Sequence, residues 1–599
     1  MYWKSLITDM NRILIWSLAF LAGCSSYKRA ASPKQNQDTQ FAAVSEEFLK
    51  GYLAWRPPMG TQLGLHEYDG KLTDYSKSSR DAELKRLKQF DRRLKAIGLR
   101  QLTSRAAYDY RLLRAEIDRE LFRFEDQQGF TKNPMTYAEA ADLNINIKRN
   151  FAPLEDRVRS IIAIQKQVPR MLEIARQNLE PELAKPFVDT AIDETKGVVD
   201  FLQKDLPDAV KDLKDATLKA ELESANKKAI AEFQRYSEWL QKEKLPHAHS
   251  HYALGREKYQ RMIRGGEFIE LSPEAILELG LRELKREQAI FAETAKKIDP
   301  SKSAIEVFKA IQKDHPTEKG LIPDARKTLE SIRQFCVDHK IVTFPSEVRA
   351  RVEETPSYLR ATSFASMDTP GPFETKATEA YYYVTPTEED WSAKQKEEWL
   401  TAFNYYTTDV VSIHEAYPGH YTQFLCLNAS PANHVEKILS SYAFVEGWAH
   451  YCEQMLLDEG FGKSATPNPS HEEIIRAAKY RLAQSDEALL RLCRLCVSIK
   501  THCQAMPMDD AIKFFEDNCY YEPKPARQEA MRGAYDPQYL YYTMGKLQIL
   551  KLRQDYQAQQ GSAFSLQHFH DELLRHGMPP IRLLRETMLK DPSKWPGVL

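Results

Sequence analysis

Two histidines and a glutamate stand close together in His414-Glu415-Ala416-Tyr417-Pro418-Gly419-His420. Imidazole and carboxylate groups so near one another are the usual equipment of a zinc-dependent hydrolase. In the helical motif H-E-x-x-H both histidines project from one face, at i and i+4, and the glutamate activates a metal-bound water. Here the i+4 position is Pro418, and the second histidine comes at i+6. That is about 240° round an ideal helix, so both rings reach one ion only if the helix breaks between them. Pro418-Gly419 supplies the break, because proline inside a helix costs ~3 kcal/mol and glycine allows a turn that other residues resist.

The elements that must position this stretch come next. A helix is expected over residues 393–416, with Leu400, Phe403, Val410 and His414 on its buried stripe. A second is expected over residues 435–459, stopped by Gly460, with Val435, Leu439, Tyr442, Glu446, Ala449 and Glu453 on one face. Two carboxylates therefore occupy positions that suit apolar side chains, and a buried carboxylate needs a cation, a metal or a proton. Zinc with two histidines commonly takes a carboxylate as third ligand, whereas a buried ion pair with Arg491 or Arg494 is the structural alternative. His450, at i+4 from Glu446, is a reserve ligand; His434 and His471 look incidental. A third helix, opened by Asp536 and Pro537, places Gln538, Tyr542, Gly545 and Ile549 inward. Tyr542, or failing it His502, is the candidate to stabilise an oxyanion, against the alternative of an ordinary core tyrosine.

The rest of the chain frames these groups. It has 599 residues, 42% hydrophobic and 28% charged, with Lys+Arg 84 against Asp+Glu 85 and a formal charge of -1, so a large globular protein is expected and nucleic acid is not the expected partner. Few glycines among many Leu, Ala, Glu, Lys and Gln favour helix throughout. Lys4 and Arg12 precede a short apolar run at 13–22 that ends in Leu21-Ala22-Gly23-Cys24, too short for a membrane span of ~20 residues. This run resembles a bacterial lipobox, which implies cleavage before Cys24, lipidation there, and a flexible tether over 25–40; Met10 is an alternative start. The expected divisions are thus 1–24 signal peptide, 25–40 tether, 41–260 N-terminal helical region and 261–599 catalytic helical region. The seven other cysteines, odd in number and scattered, make no disulfide scaffold; Cys493 and Cys496 are read as core residues, and His247, His249 and His251 as a surface loop. Tyr381-Tyr382-Tyr383-Val384-Thr385 reads as a short strand, either a core hairpin or an edge that holds an extended peptide.

The motifs H-E-x-x-P-G-H at 414–420 and E-G-W-A-x-Y-x-E at 446–453 resemble those of a bacterial family known as domain of unknown function eight-eight-five. The likeness extends to Leu63-Gly64-Leu65-His66, Pro153-Leu154-Glu155-Asp156-Arg157, the stretch from Gln538 to Gly545, and His570-Asp571-Glu572-Leu573-Leu574. That family is similar in turn to helical gluzincin peptidases of the Taq-type carboxypeptidase kind. The resemblance implies a mainly helical, zincin-like fold with a deep cleft and a small β element. It implies His414, His420 and Glu446 as Zn2+ ligands, Glu415 as general base and Glu453 behind them. Ser498 and Lys500 before His502 depart from the family pattern. The expectation is a zinc-dependent peptidase tethered in the cell envelope, on the outer membrane by the serine after Cys24, acting on peptides. Two alternatives stand beside it: an inactive peptide-binding or scaffolding lipoprotein, and a metallohydrolase of non-peptide amides or esters.

Overall fold

The computed structural model describes residues 33–355, 360, 364–597 and 599. The expectations for the signal peptide, for Cys24 and for residues 25–32 lie outside these residues. The first helix, Pro33–Trp55 (α1), takes up the rest of the expected tether. It does so because Asp38 accepts hydrogen bonds from the backbone N and Oγ1 of Thr103, at 3.0 and 2.6 Å, while Phe41, Val44 and Phe48 are buried.

Among the described residues the architecture is mainly helical, with one small three-stranded sheet. The helices that bear on the candidate site are Ser104–Phe122 (α2), Arg256–Glu267 (α3), Pro273–Ile298 (α4), Ala393–Ala402 (α5), Tyr405–Glu415 (α6), His420–Ala429 (α7), Tyr442–Asp458 (α8), His471–Gln504 (α9), Pro523–Tyr535 (α10) and Tyr541–Gln560 (α11). Four apolar clusters make the core, and two meet at the site helices. On α6, Val410 belongs to the cluster built with α4 and α9, whereas Ile413 belongs to the one that packs the sheet. On α8, Ala443 and Phe444 divide in the same way. The packing also crosses residue 260: Val435, Ile438, Leu439 and Leu583 join a cluster whose other members come from residues 41–121, chiefly on α1, α2 and the helix Lys77–Ala96.

Two helices expected as continuous are interrupted. Asn404 caps α6 by accepting from the Thr407 backbone at 3.0 Å, so residues 393–416 form α5 and α6 with Phe403 at the joint. Likewise 435–459 is a short helix, His434–Ile438, followed by α8. Ser441 caps α8 and donates its hydroxyl to buried Glu267 of α3, and its backbone N donates to Met578 O at 2.6 Å. These tertiary partners stop the first helix.

The strands are Ala350–Glu354 (β1), Ala365–Asp368 (β2) and Ala380–Val384 (β3), in the order β1-β3-β2. The aromatic strand is β3, so it is central rather than an edge: β1 pairs with it in parallel and β2 in antiparallel sense. Tyr382 fastens it to α6 through Ser412 Oγ at 3.0 Å.

Candidate metal centre

The chain folds back sharply after Glu415. Gly419 N donates to Ile413 O at 3.1 Å, Thr422 N donates to Ala416 O at 3.2 Å, and α7 begins at His420. Gly419 is required there by closeness, since a Cβ would lie 1.8 Å from His414 O and 2.4 Å from Ile413 O. Trp448 of α8 clamps the turn by donating Nε1 to Pro418 O at 2.9 Å. The result is two imidazoles with ring centroids 4.8 Å apart and planes at 90°.

Glu446 of α8 completes the group. Its Oε2 lies 3.6 Å from His414 Nε2 and 3.5 Å from His420 Nε2. Ligand atoms about 2.1 Å from a tetrahedral zinc ion are about 3.4 Å apart, so the spacing suits one. These three are the one set of three or more such groups, among the described residues, whose ligand atoms all lie within 4.8 Å of one another. Glu446 Oε2 is buried with no hydrogen-bond partner, an orphaned acceptor that a cation would satisfy. The residues present therefore fit a zinc ion held by His414 Nε2, His420 Nε2 and Glu446 Oε2.

Glu453 stands behind, fully buried. Its Oε1 accepts from His414 Nδ1 at 2.7 Å and its Oε2 from His450 Nδ1 at 2.9 Å, with Arg491 Nη2 3.5 Å from Oε1. The ion pair considered as an alternative for Glu453 is thus present, and it coexists with the bond to His414. Burial works to raise the Glu453 carboxyl, but Arg491, His450 and His414 together hold it well below the usual carboxylate range. Glu446 is likewise held down, against burial, by His414 and His420. Burial lowers His414, yet the carboxylates of Glu446 and Glu453 beside it prevail and raise it to about 9. The lone pair that holds that proton is the one a metal ion would take.

Glu415, the last residue of α6, is half-buried beside the group, and its charge is felt at His414 and at the Tyr382 hydroxyl. The ring of Tyr542 lies 6.4 Å from that of His414 at 20°. Its hydroxyl accepts from Arg532 Nη2 of α10 at 3.5 Å, and burial, then Glu446, push the phenol up.

His502 is a correction. It is buried, its Nδ1 accepts from Leu254 N at 3.3 Å, and its Nε2 donates to Gly533 O at 2.8 Å. Both nitrogens are committed to backbone, so it has no proton to offer an oxyanion. His450, the reserve ligand, points to Glu453 instead, while Cys493 and Cys496 are buried free thiols as expected.

Sequence reasoning missed Arg532, which also donates to Tyr442 Oη at 3.2 Å, and the hydroxyl of Tyr442 itself. Tyr442 sits one turn before Glu446, a signal that was available; Arg532 reaches the site only through the packing of α10. Asp409, five residues before His414, was missed as well. It is buried, accepts from Tyr480 Oη at 2.7 Å, and burial, opposed by Tyr480 and Thr328, raises it to about 7. The unfolded value is about 3.9, so the folded state prefers the proton, and stability falls as pH rises between those values. Asp409→Asn should therefore be more stable than wild type at pH 8, by roughly 2–4 kcal/mol, and close to it at pH 4, as read from chemical denaturation.

The model of a family described as "Bacterial protein of unknown function (DUF885)" matches residues 57–588. A solved structure described as a "putative lipoprotein of unknown function" from Shewanella oneidensis is 25% identical, with a TM-score of 0.72, covering 94% of this chain and 100% of its own. A second, the "putative lipoprotein" from Colwellia psychrerythraea, is 18% identical with a TM-score of 0.74, covering 94% and 99%. No curated protein matches the chain.

Proposed function

We propose that this chain, which belongs to the DUF885 family of bacterial proteins of unknown function, is a zinc-dependent hydrolase of peptide bonds. The observation that carries the reading is the convergence of His414, His420 and Glu446 on one point beside Glu415, with Glu453 fixing the first imidazole from behind.

A zinc ion held by those three groups would supply Lewis-acid polarisation of a water and of the substrate carbonyl. The chain's own residues do the rest. Glu453 accepts the Nδ1 proton of His414 and so leaves Nε2 to face the ion. Glu415, outside the ligand set, takes the proton of the attacking water and passes it to the leaving amine. The Tyr542 hydroxyl, held by Arg532, is placed to donate to the developing oxyanion. Strand β2, unpaired on its outer side among the described residues and packed near α6, is the edge along which an extended peptide would lie. A gluzincin-like helical fold, which the motif resemblance implies, belongs to the same reading.

The lipobox-like run before Cys24, together with the descriptions of the two structural neighbours, supports a protein anchored by lipid in the cell envelope, with the outer membrane as the proposed site.

The test is metal content with turnover. Purified protein should carry one zinc per chain and cleave members of a peptide library; a chelator should abolish cleavage, and zinc should restore it. A chain without stoichiometric metal sinks the proposal. Binding without cleavage would favour the scaffolding alternative, and cleavage confined to esters or non-peptide amides the other hydrolase.

A further inference from the structure

We infer that His450 and Lys546 form a buried positioning chain behind His414, joined by one water, that holds the metal-facing nitrogen in its ligating form. The inference rests on the reading of His414 as a metal ligand.

His450 is only 1% exposed and lies one turn after Glu446 on α8. Its Nδ1 meets Glu453 Oε2 at 2.9 Å, and because a carboxylate can only accept, Nδ1 carries the proton. By the same rule His414 Nδ1, 2.7 Å from Glu453 Oε1, donates, and His414 Nε2 is the nitrogen turned to the side where Glu446 and His420 stand. With Nδ1 protonated, Nε2 of the neutral His450 ring is an acceptor. Among the described residues no side chain or backbone group bonds to it, and the ring borders a small space instead.

The donor lies across a small cavity. A space of about 20 Å³ has His450, Thr543, Lys546, Glu283, Arg286 and Glu287 as its polar lining, the rest being apolar. One water needs roughly 10–15 Å³ measured in this way and two or more polar partners, so the space takes one. Lys546, on α11, is buried and forms no ion pair among the described residues, although the charges of Glu287 and Glu453 act on it. Thr543 Oγ1, one turn before it, is buried without a partner. A water that accepts from Lys546 Nζ and donates to His450 Nε2 satisfies the ring, and Thr543 Oγ1 is within the same lining. Every link then runs one way: Lys546 to water, water to His450, His450 to Glu453, with His414 donating to the other oxygen of that carboxylate. Removing His450 leaves Glu453 Oε2 without its donor, and only Arg491, 3.5 Å from Oε1, then opposes the carboxylate's turning away from His414.

The motif that placed His450 as a spare ligand therefore has another use: three residues apart on one helix, His450 and Glu453 face each other, not the ion.

Zinc affinity, measured by competition with a chromophoric chelator, tests the chain independently of turnover. His450→Phe keeps the bulk and loses the donor, and it should bind zinc about 10–100-fold more weakly. His450→Asn, whose amide nitrogen stands near the position of Nδ1, should recover most of that loss. Lys546→Met should weaken zinc in the same direction by a smaller factor. Unchanged affinity in His450→Phe overturns the inference while the metal reading stands. Equal losses in the Phe and Asn variants also overturn it, since they mark a packing role. An unaffected Lys546→Met removes the lysine and its water from the chain. Wild type that takes up no zinc is a distinct outcome, and it overturns the metal reading and this inference together.

Discussion

Glu415→Gln is expected to abolish turnover without emptying the site: kcat should fall about 10²–10⁴-fold, the usual worth of a positioned general base. Zinc per chain should stay at the wild-type value. The two readouts separate because Glu415 adjoins His414 in sequence but is not among the three groups whose ligand atoms converge. Being the last residue of α6, it stands at the helix terminus and remains half-exposed, so a neutral amide of the same shape costs the fold little. An amide still donates and accepts hydrogen bonds, yet it cannot take a proton from water. Glu446→Gln should behave in the opposite manner, losing zinc and activity together, since it weakens the carboxylate that both imidazoles face. Steady-state kinetics on a cleaved library peptide, run beside metal analysis, distinguishes the two. Full turnover in Glu415→Gln would show that the proton goes elsewhere and would return the neighbouring carboxylate to a structural role.

Much of this site was legible in the sequence because it depends on short-range geometry. The break at Pro418-Gly419 follows from the geometry of a straight helix, on which side chains at i and i+6 cannot face one point, and α6 does end at Glu415. Glu446 and Glu453 betrayed themselves as carboxylates on an apolar stripe, and both are met there by imidazoles. What failed was decided at long range. The helix expected over 435–459 stops because Ser441 finds Glu267 and Met578, residues 174 and 137 positions away, and no local pattern announces either. Asn404 was readable as a cap, but an apolar periodicity running through Phe403 concealed it. The strand Ala380–Val384 was found by its aromatic content, yet whether it is central or an edge depends on β1 and β2, which no single strand reveals. His502 failed for the commonest reason: a histidine inside a protein is often simply satisfied, here by two backbone groups.

Gly545→Ala is expected to be among the most damaging single-methyl changes in the molecule, although alanine is the better helix former by ~1 kcal/mol. α8 and α11 touch backbone to backbone at this point. A Cβ on Gly545 would lie 1.8 Å from Ala443 O and 2.7 Å from Gly447 Cα, and one on Gly447 would lie 2.4 Å from Gly545 Cα. Main-chain atoms on both sides leave no flexible side chain to yield, so the helices themselves must separate. Overpacking of this kind typically costs about 1–3 kcal/mol, and more where backbone is the obstacle. The functional cost follows from what the two helices carry. α8 holds Glu446, His450 and Glu453, while α11 holds Tyr542 and Lys546, so moving one off the other draws the tyrosine away from His414 and opens the cavity beside His450. The variant should unfold at a lower temperature and bind zinc more weakly. Gly197→Ala is the matched control: it lies inside the helix Lys185–Asp200, and a Cβ there meets nothing within 4 Å. It should be neutral or stabilising by up to ~1 kcal/mol, as helix propensity alone dictates. If thermal unfolding ranks the two alike, the close approach of α8 and α11 does not govern the site. If they diverge as expected, that contact is what holds the tyrosine and the ligand helix in register.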